Sequence, residues 1–168
     1  AVNSSTICSG NSATLTASGV NTYTWSNGAI TQSIVVAPNT NTVYIVSGNL
    51  IGCVVTATNT SNVTVNTTPT VSVNSGVICN GQTFTITPSG ANTYTIQGGT
   101  TSVNPTSNTS YSVMGESVHG CVSANIATSS VTVNPLPTLL VVSDNTLLCV
   151  GQIANLTASG AISYTWNT

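Results

Sequence analysis

The stretch Cys8-Ser9-Gly10, followed by Ala13-Thr14-Leu15-Thr16-Ala17-Ser18-Gly19 and Tyr23-Thr24-Trp25, decides the fold of this chain because its pattern occurs three times with some substitutions. Its second and third copies begin at Cys79 and Cys149, about 70 residues apart. Apolar and polar residues alternate with a period of two from Ala13 to Ala17, which is typical of a β-strand with one buried face. The chain therefore contains tandem copies of one β-rich unit.

Later markers recur with the same spacing and divide the chain into units. Gly52-Cys53 matches Gly120-Cys121, and each full unit closes on proline. We predict two complete units and the first part of a third, with these bounds: 1–69, 70–137 and 138–168. A sandwich that lacks half its strands cannot bury its inner faces. We therefore expect residues 139–168 to pack against strands outside residues 1–138, in another subunit or in a continuation of the chain.

Within a unit, short runs of Val, Thr, Ile and Tyr are separated by Gly, Asn, Pro and Ser. This pattern predicts strands and turns, and no helical stripe of ten residues occurs. We predict strands near 13–17, 22–26, 31–36, 42–47, 53–58 and 62–66, and in the second unit near 71–74, 83–87, 93–97, 101–103, 110–114, 121–127 and 130–134. Six or seven short strands in about 70 residues predict an all-β fold of tandem small antiparallel β-sandwiches.

The charge of the chain excludes several classes of function. It has no Lys or Arg, two acidic residues and one His, so that charged residues make up 1% of the sequence, against about a quarter in average domains. Nucleic-acid binding through phosphates and a polybasic membrane anchor both need cations. Acid–base and metal chemistry need clusters of titratable groups. We therefore expect no enzyme, no cofactor and no nucleic-acid partner. We also expect no membrane insertion, since the longest apolar run is Leu139 to Val142.

The motifs resemble a known repeat family. The resemblance rests on Cys-x-Gly, the alternating run, Ser-Gly, Tyr-Thr-Trp, the segment Pro38 to Tyr44, Gly-Cys, and Val-Thr-Val-Asn-Pro-Leu-Pro at 131–137. These motifs resemble the Ig-like, PKD-like repeats of very large secreted and cell-surface proteins of Bacteroidota, including gliding-motility adhesins and cargo of the type IX secretion system. The resemblance implies Ig-like sandwiches and a secreted or cell-surface location. The Asp-rich turn often seen in PKD domains is replaced by Ser26-Asn27-Gly28, so no calcium site is expected.

The five cysteines occupy two repeat-equivalent positions. Each full unit has one cysteine near its start and one before its last strands, which predicts the disulfides Cys8–Cys53 and Cys79–Cys121, one within each sandwich. Cys149 has no counterpart for such a bond before residue 168, so we expect it to be unpaired within this sequence. Disulfides indicate an oxidising compartment and hence secretion. A metal site is the alternative, but no Cys-x-x-Cys occurs.

The remaining candidate side chains have structural interpretations. His119 precedes Gly120-Cys121 in a predicted turn, and Glu116 lies three residues before it, which favours a local hydrogen bond over acid–base chemistry. Every aromatic residue falls at a repeat-equivalent position: Tyr23, Tyr94 and Tyr164 form one set, and Phe84 aligns with Ala13 and Ala154. Recurring aromatics favour core packing over a sugar-binding platform.

These observations predict a structural protein. We expect a segment of an extracellular fibre, stalk or surface adhesin, joined by short Pro-containing linkers that restrict the backbone to extended conformations. The expected partners are copies of itself or further repeats of the same chain, with surface polysaccharide as a further candidate. The alternatives are a carbohydrate-binding adhesin module and the accessory stalk of a secreted enzyme.

Overall fold

The computed structural model describes residues 1–52 and 56–167. Within these ranges the chain forms sixteen β-strands and no helix, so the prediction of an all-β fold is confirmed. The part of the chain that the structure describes accordingly holds no helix that could cross a membrane.

The first sandwich is built from six strands in two sheets. They are β1 (Ser5–Cys8), β2 (Ala13–Thr16), β3 (Thr24–Trp25), β4 (Ser33–Val36), β5 (Thr42–Gly48) and β6 (Ala57–Asn66). One sheet has the order β1-β6-β5-β3, and β2 pairs with β4 in the other. Side chains alternate between buried and exposed along β2 and β4. The alternating sequence pattern therefore places one face of each strand in the core.

The second sandwich repeats this arrangement with eight strands. They are β7 (Ser72–Val73), β8 (Gly76–Cys79), β9 (Phe84–Thr85), β10 (Pro88–Ser89), β11 (Thr93–Ile96), β12 (Ser102–Val103), β13 (Thr109–Glu116) and β14 (Ala127–Asn134). The large sheet has the order β11-β13-β14-β8, while β12 pairs with β9 and β10 pairs with β7.

Both sandwiches have an immunoglobulin-like strand arrangement. In the first, β2 and β4 form one sheet, as strands B and E do in an immunoglobulin domain, and β3, β5 and β6 form the other, as strands C, F and G do. The buried side chains between the two sheets include Leu15, Trp25 and Val63. Ile86 and Val113 hold the equivalent core of the second sandwich.

The structure differs from the sequence prediction at both ends of each unit. The first long strand of each unit, β1 or β8, pairs in parallel with the last strand, β6 or β14, so the sandwiches are not purely antiparallel. The sequence prediction missed these strands because the segments before Cys8 and Cys79 are rich in Ser and Asn. The predicted strand 121–127 is wrong, because residues 121–126 form a loop, whereas the predicted strand 130–134 lies within β14. In the first unit β6 replaces two predicted strands, although residues 53–55 lie outside the described residues.

The third unit contains one strand pair with an uncovered apolar face. Strand β15 (Leu140–Ser143) pairs with β16 (Leu156–Ser159). In the first sandwich Ile7, Leu15 and Trp25 are 9%, 0% and 2% exposed. At the equivalent positions of the third unit, the exposed fractions of Leu148, Leu156 and Trp166 are 46%, 54% and 50%. Residues 1–138 therefore leave these core positions of the third unit open to solvent.

A buried serine on the last strand of each full sandwich holds the segment that precedes β1 or β8. Ser61 Oγ donates a hydrogen bond to the Asn3 carbonyl at 2.6 Å, and Ser129 Oγ donates one to the Asn74 carbonyl at 2.7 Å. Both serines are 0% exposed. Each hydroxyl satisfies a backbone carbonyl that the sheet ladder leaves unpaired.

We expect Ser129→Ala to lower the free energy of unfolding of the second sandwich by about 0.5–1.5 kcal/mol, because the part-buried hydrogen bond to the Asn74 carbonyl is lost. The neighbouring substitution Ser130→Ala is the control, since the Ser130 side chain is exposed, and it should change stability by less than about 0.5 kcal/mol. Urea denaturation of the two variants measures the difference. Equal midpoints for both variants would contradict a stabilising role for the buried hydroxyl.

Candidate functional site

A disulfide bond between Cys8 and Cys121 links the first sandwich to the second. The two Cα atoms are 5.6 Å apart, and 113 positions separate the residues in sequence. Cys121 is fully buried, although it lies in a loop. We refer to Cys8, Asn66, Pro69, Cys121 and Asn125 together as the junction.

The fold places Cys8 at the end of the first sandwich that meets the second. Because β1 runs parallel to β6, Cys8 lies beside Asn66, the last residue of β6, from which the chain continues into the second unit. A tight turn follows Cys8: Asn11 N donates to the Cys8 carbonyl at 3.0 Å, and Gly10 adopts a φ of 89°. That left-handed conformation favours glycine, which explains the Cys-x-Gly motif.

A short turn between β13 and β14 presents Cys121. Ser117 N donates to the Cys121 carbonyl at 2.9 Å, and Ser117 Oγ accepts from Cys121 N at 3.1 Å. Gly120 has a φ of 76° within this turn, so the Gly-Cys motif also has a backbone cause. Cys121 Sγ lies 3.9 Å from the Asn66 carbonyl oxygen, at the point where the first sandwich ends.

Hydrogen bonds fix the same loop to the linker. The Asn125 side chain donates to the Val71 carbonyl at 2.8 Å and accepts from Val71 N at 3.0 Å. Ala124 N donates to the Pro69 carbonyl at 3.4 Å. Both the linker and the disulfide therefore hold the loop after β13 against the end of the first sandwich.

The predicted pairings Cys8–Cys53 and Cys79–Cys121 are wrong, since Cys8 and Cys121 bond to each other. The physical reason is visible in the second sandwich. Cys79 lies beside Asn134 at one end of β14, whereas Cys121 precedes the other end of that strand. Eight residues of strand span roughly 23 Å, and a disulfide requires Cα atoms within about 7 Å. Cys53 lies outside the described residues, and Cys79 and Cys149 are exposed, unpaired thiols.

The other singled-out side chains do not form a reactive site among the described residues. His119 and Glu116 are both exposed, and no hydrogen bond joins their side chains. The backbone N–H of His119 donates a 3.3 Å hydrogen bond to Ser117 Oγ. No group of three or more His, Cys, Asp or Glu residues that could hold a metal ion occurs in residues 1–52 and 56–167.

The aromatic side chains of the two full sandwiches contribute to their cores. Trp25 is buried, and its indole N–H donates to the Thr31 carbonyl at 2.8 Å. Tyr23, Tyr44, Tyr94, Tyr111 and Phe84 pack against the two core clusters. Tyr164 and Trp166 are 38% and 50% exposed, but they stand at the positions that Tyr23 and Trp25 hold in the first sandwich. Their exposure therefore marks an uncovered core face.

The environment of Asp144 shifts the pKa of its carboxyl group. The Asn155 side-chain amide donates to Asp144 Oδ2 at 2.7 Å, and Asn155 N donates to Oδ1 at 2.8 Å. These bonds lower the pKa of the carboxyl group, because they favour its charged form. Asp144 thus fixes the backbone at Asn155 by hydrogen bonding. In the second sandwich the Asn74 side-chain amide plays the same part when it donates to the Thr85 carbonyl.

The lowered pKa predicts an acid-sensitive contact in the third unit. Its stabilising contribution is complete above the unfolded-state pKa near 3.9 and is lost as the pH falls through the lower folded-state value. We expect the NMR shift of the Asn155 backbone amide to titrate with a midpoint below about 3.9, while the global unfolding midpoint stays nearly flat at higher pH. In Asp144→Asn this titration should disappear. A midpoint above the ordinary Asp value would show that the hydrogen bonds do not form.

Comparison with known proteins finds solved structures of similar fold at low sequence identity. No family model matches the chain, and no curated protein matches it in sequence. A structure of titin domains I67–I69 with an E-to-A mutation has a TM-score of 0.41 and 9% identity, covering 94% of this chain and 74% of that chain. Fibronectin(III)-like modules of CbhA from Clostridium thermocellum have a TM-score of 0.35 and 13% identity, covering 79% and 90%. The N-terminal eight Ig domains of Down Syndrome Cell Adhesion Molecule have a TM-score of 0.37 and 13% identity, covering 94% and 31%. The immunoglobulin-like fold itself follows from the strand order of this chain.

Proposed function

We propose that this chain is a non-catalytic structural segment of an extracellular fibre, stalk or surface adhesin. The observation that carries the proposal is the Cys8–Cys121 bond, which joins two successive sandwiches covalently. A disulfide of this kind persists in oxidising surroundings outside the cytosol, which supports secretion. The motif resemblance further supports a surface protein of Bacteroidota exported by the type IX system.

The position of the bond suits a segment that carries tension. A force applied between residues 1 and 167 passes along β1 to Cys8, across the disulfide to Cys121, and then along β14. The strands β2 to β13 lie between the two cysteines in sequence and are bypassed. Most of both sandwiches is therefore shielded from a pulling force.

The scarcity of charged side chains fits exposed material outside a cell. With no Lys or Arg, the chain offers no cleavage site to trypsin, and its stability depends little on salt because no surface ion pairs need screening. Edge strands also lack the Lys residues that usually prevent edge-to-edge pairing. This favours copies of the chain or further repeats as partners.

Labelling of intact source cells tests the location. An antibody against the second sandwich should bind unpermeabilised cells, and proteinase K added outside the cells should remove the signal. A cytosolic protein of the same cells serves as the control and should be labelled only after permeabilisation. Labelling that requires permeabilisation, with Cys8 and Cys121 alkylated as free thiols, would overturn the proposal.

A further inference from the structure

We propose that Cys79 forms a second interdomain disulfide. Its partner is the loop cysteine of the next unit along the chain, when that unit is complete. In this arrangement the cysteine that ends β1 or β8 bonds to the cysteine in the Gly-Cys loop of the next unit. The bond between Cys8 and Cys121 is the instance that the structure shows. The proposal concerns the covalent pattern of the array and does not depend on the location proposed above.

Cys79 occupies the same backbone position in the second sandwich as Cys8 does in the first. Cys8 is in register with Asn66, and Cys79 is in register with Asn134, in both cases at the end of a parallel pair with the last strand. The residue after each cysteine donates to the neighbouring asparagine carbonyl, Ser9 N at 2.8 Å and Asn80 N at 2.9 Å. The backbone geometry that places Cys8 next to the following sandwich is thus present again at Cys79.

The turns that follow the two cysteines are also the same. Gln82 N donates to the Cys79 carbonyl at 3.0 Å, as Asn11 N does to Cys8, and Gly81 has a φ of 86° beside 89° for Gly10. Cys79 differs in being exposed and unpaired. Its thiol stands at the end of the second sandwich, where the chain continues into the third unit.

The loop that supplies the partner recurs as well. Gly52 and Gly120 have φ angles of 82° and 76°, and each precedes a cysteine in sequence. Cys121 shows that such a loop faces the preceding sandwich. Residues 138–167 of the third unit end before this loop, so the structure holds Cys79 but not its partner.

The chemistry requires an oxidant of the disulfide class. Oxidised glutathione accepts two electrons from the Cys79 thiol and the loop thiol, one sulfur–sulfur bond forms between them, and two molecules of reduced glutathione are released. The reaction needs both thiols within the span of a disulfide, which the repeated junction geometry provides.

The test uses the extended chain, in which a second copy of residues 99–134 follows residue 168 and supplies the missing half of the third unit. The copy of Cys121 then follows Cys79 at nearly the separation of 113 that joins Cys8 and Cys121. After equilibration in a glutathione redox buffer, chymotryptic peptides are mapped without reduction. We expect two linked pairs, Cys8–Cys121 and Cys79 with the copied cysteine, and an at least ~10-fold loss of Cys79 alkylation relative to the original chain.

Matched variants separate this pattern from a bond within the third unit. In the extended chain, Cys149→Ser should keep the new link, whereas Cys79→Ser should abolish it and leave the copied cysteine open to alkylation. A link between Cys149 and the copied cysteine, a link between two chains, or unchanged alkylation of Cys79 would each overturn the proposal.

A second version of the extended chain replaces residues 138–168 by a copy of residues 70–137, a sandwich whose fold the structure shows. The same link is expected there, and a free Cys79 in that folded chain would also overturn the proposal.

Discussion

Pulling the chain by its two ends should release about 40 nm less length while the Cys8–Cys121 bond is intact than after reduction. The bond closes a segment with a sequence separation of 113, and an extended chain spans about 3.3–3.6 Å per residue. With the bond closed, unfolding of both sandwiches adds none of this segment to the measured length. Single-molecule force spectroscopy with and without a reductant measures the difference directly.

Two cysteine variants control this experiment. Cys8→Ser should release the additional 40 nm or so without any reductant, whereas Cys79→Ser should behave as the original chain does, because Cys79 is unpaired. Comparison of one molecule before and after reduction guards against a folding defect in the variants. Equal lengths before and after reduction would show that Cys8 and Cys121 are not bonded in solution.

Completion of the third unit should convert Trp166 from a solvent-exposed to a buried side chain. Trp166 is 50% exposed, whereas Trp25 at the equivalent position is 2% exposed. In the extended chain the added strands can cover the face that β15 and β16 leave open. Burial of the remaining half of Leu148 and Leu156 would then contribute about 0.7–1.5 kcal/mol for each side chain.

Acrylamide quenching measures this change, since the sequence has two tryptophans. In the original chain acrylamide should quench the fluorescence of Trp166 but not that of Trp25. In the extended chain both tryptophans should be protected from the quencher. The control is an extended chain in which the copy of Val113 is replaced by Asp, because Val113 is 0% exposed in the second sandwich and a buried unpaired charge prevents packing. Equal quenching of Trp166 in the extended chain and in this control would show that the added strands do not cover the third unit.

Local patterns in the sequence were sufficient for the class of fold. The alternation in residues 13–17 predicted β2, and its recurrence predicted a second core, because burial of one strand face imposes a period of two wherever it occurs. The repeat also identified Cys8 and Cys121 as disulfide-forming cysteines, and the glycines beside them as turn residues. The recurring aromatics correctly indicated core positions, since Trp25 is buried and Tyr94 and Tyr111 pack against the core of the second sandwich.

The pairing of the cysteines was decided only by the tertiary structure. Repeat symmetry is satisfied equally by bonds within each unit and by bonds from each unit to the next, so spacing alone does not choose between them. The choice follows from β1 and β8, which run parallel to the last strand of their sandwich and carry Cys8 and Cys79 to the end that meets the next unit. A parallel pairing of this kind joins residues more than 50 positions apart and depends on the packing of the whole sandwich. Because no local pattern encodes it, the sequence shows which cysteines matter, and the three-dimensional arrangement of the sheets determines which of them meet.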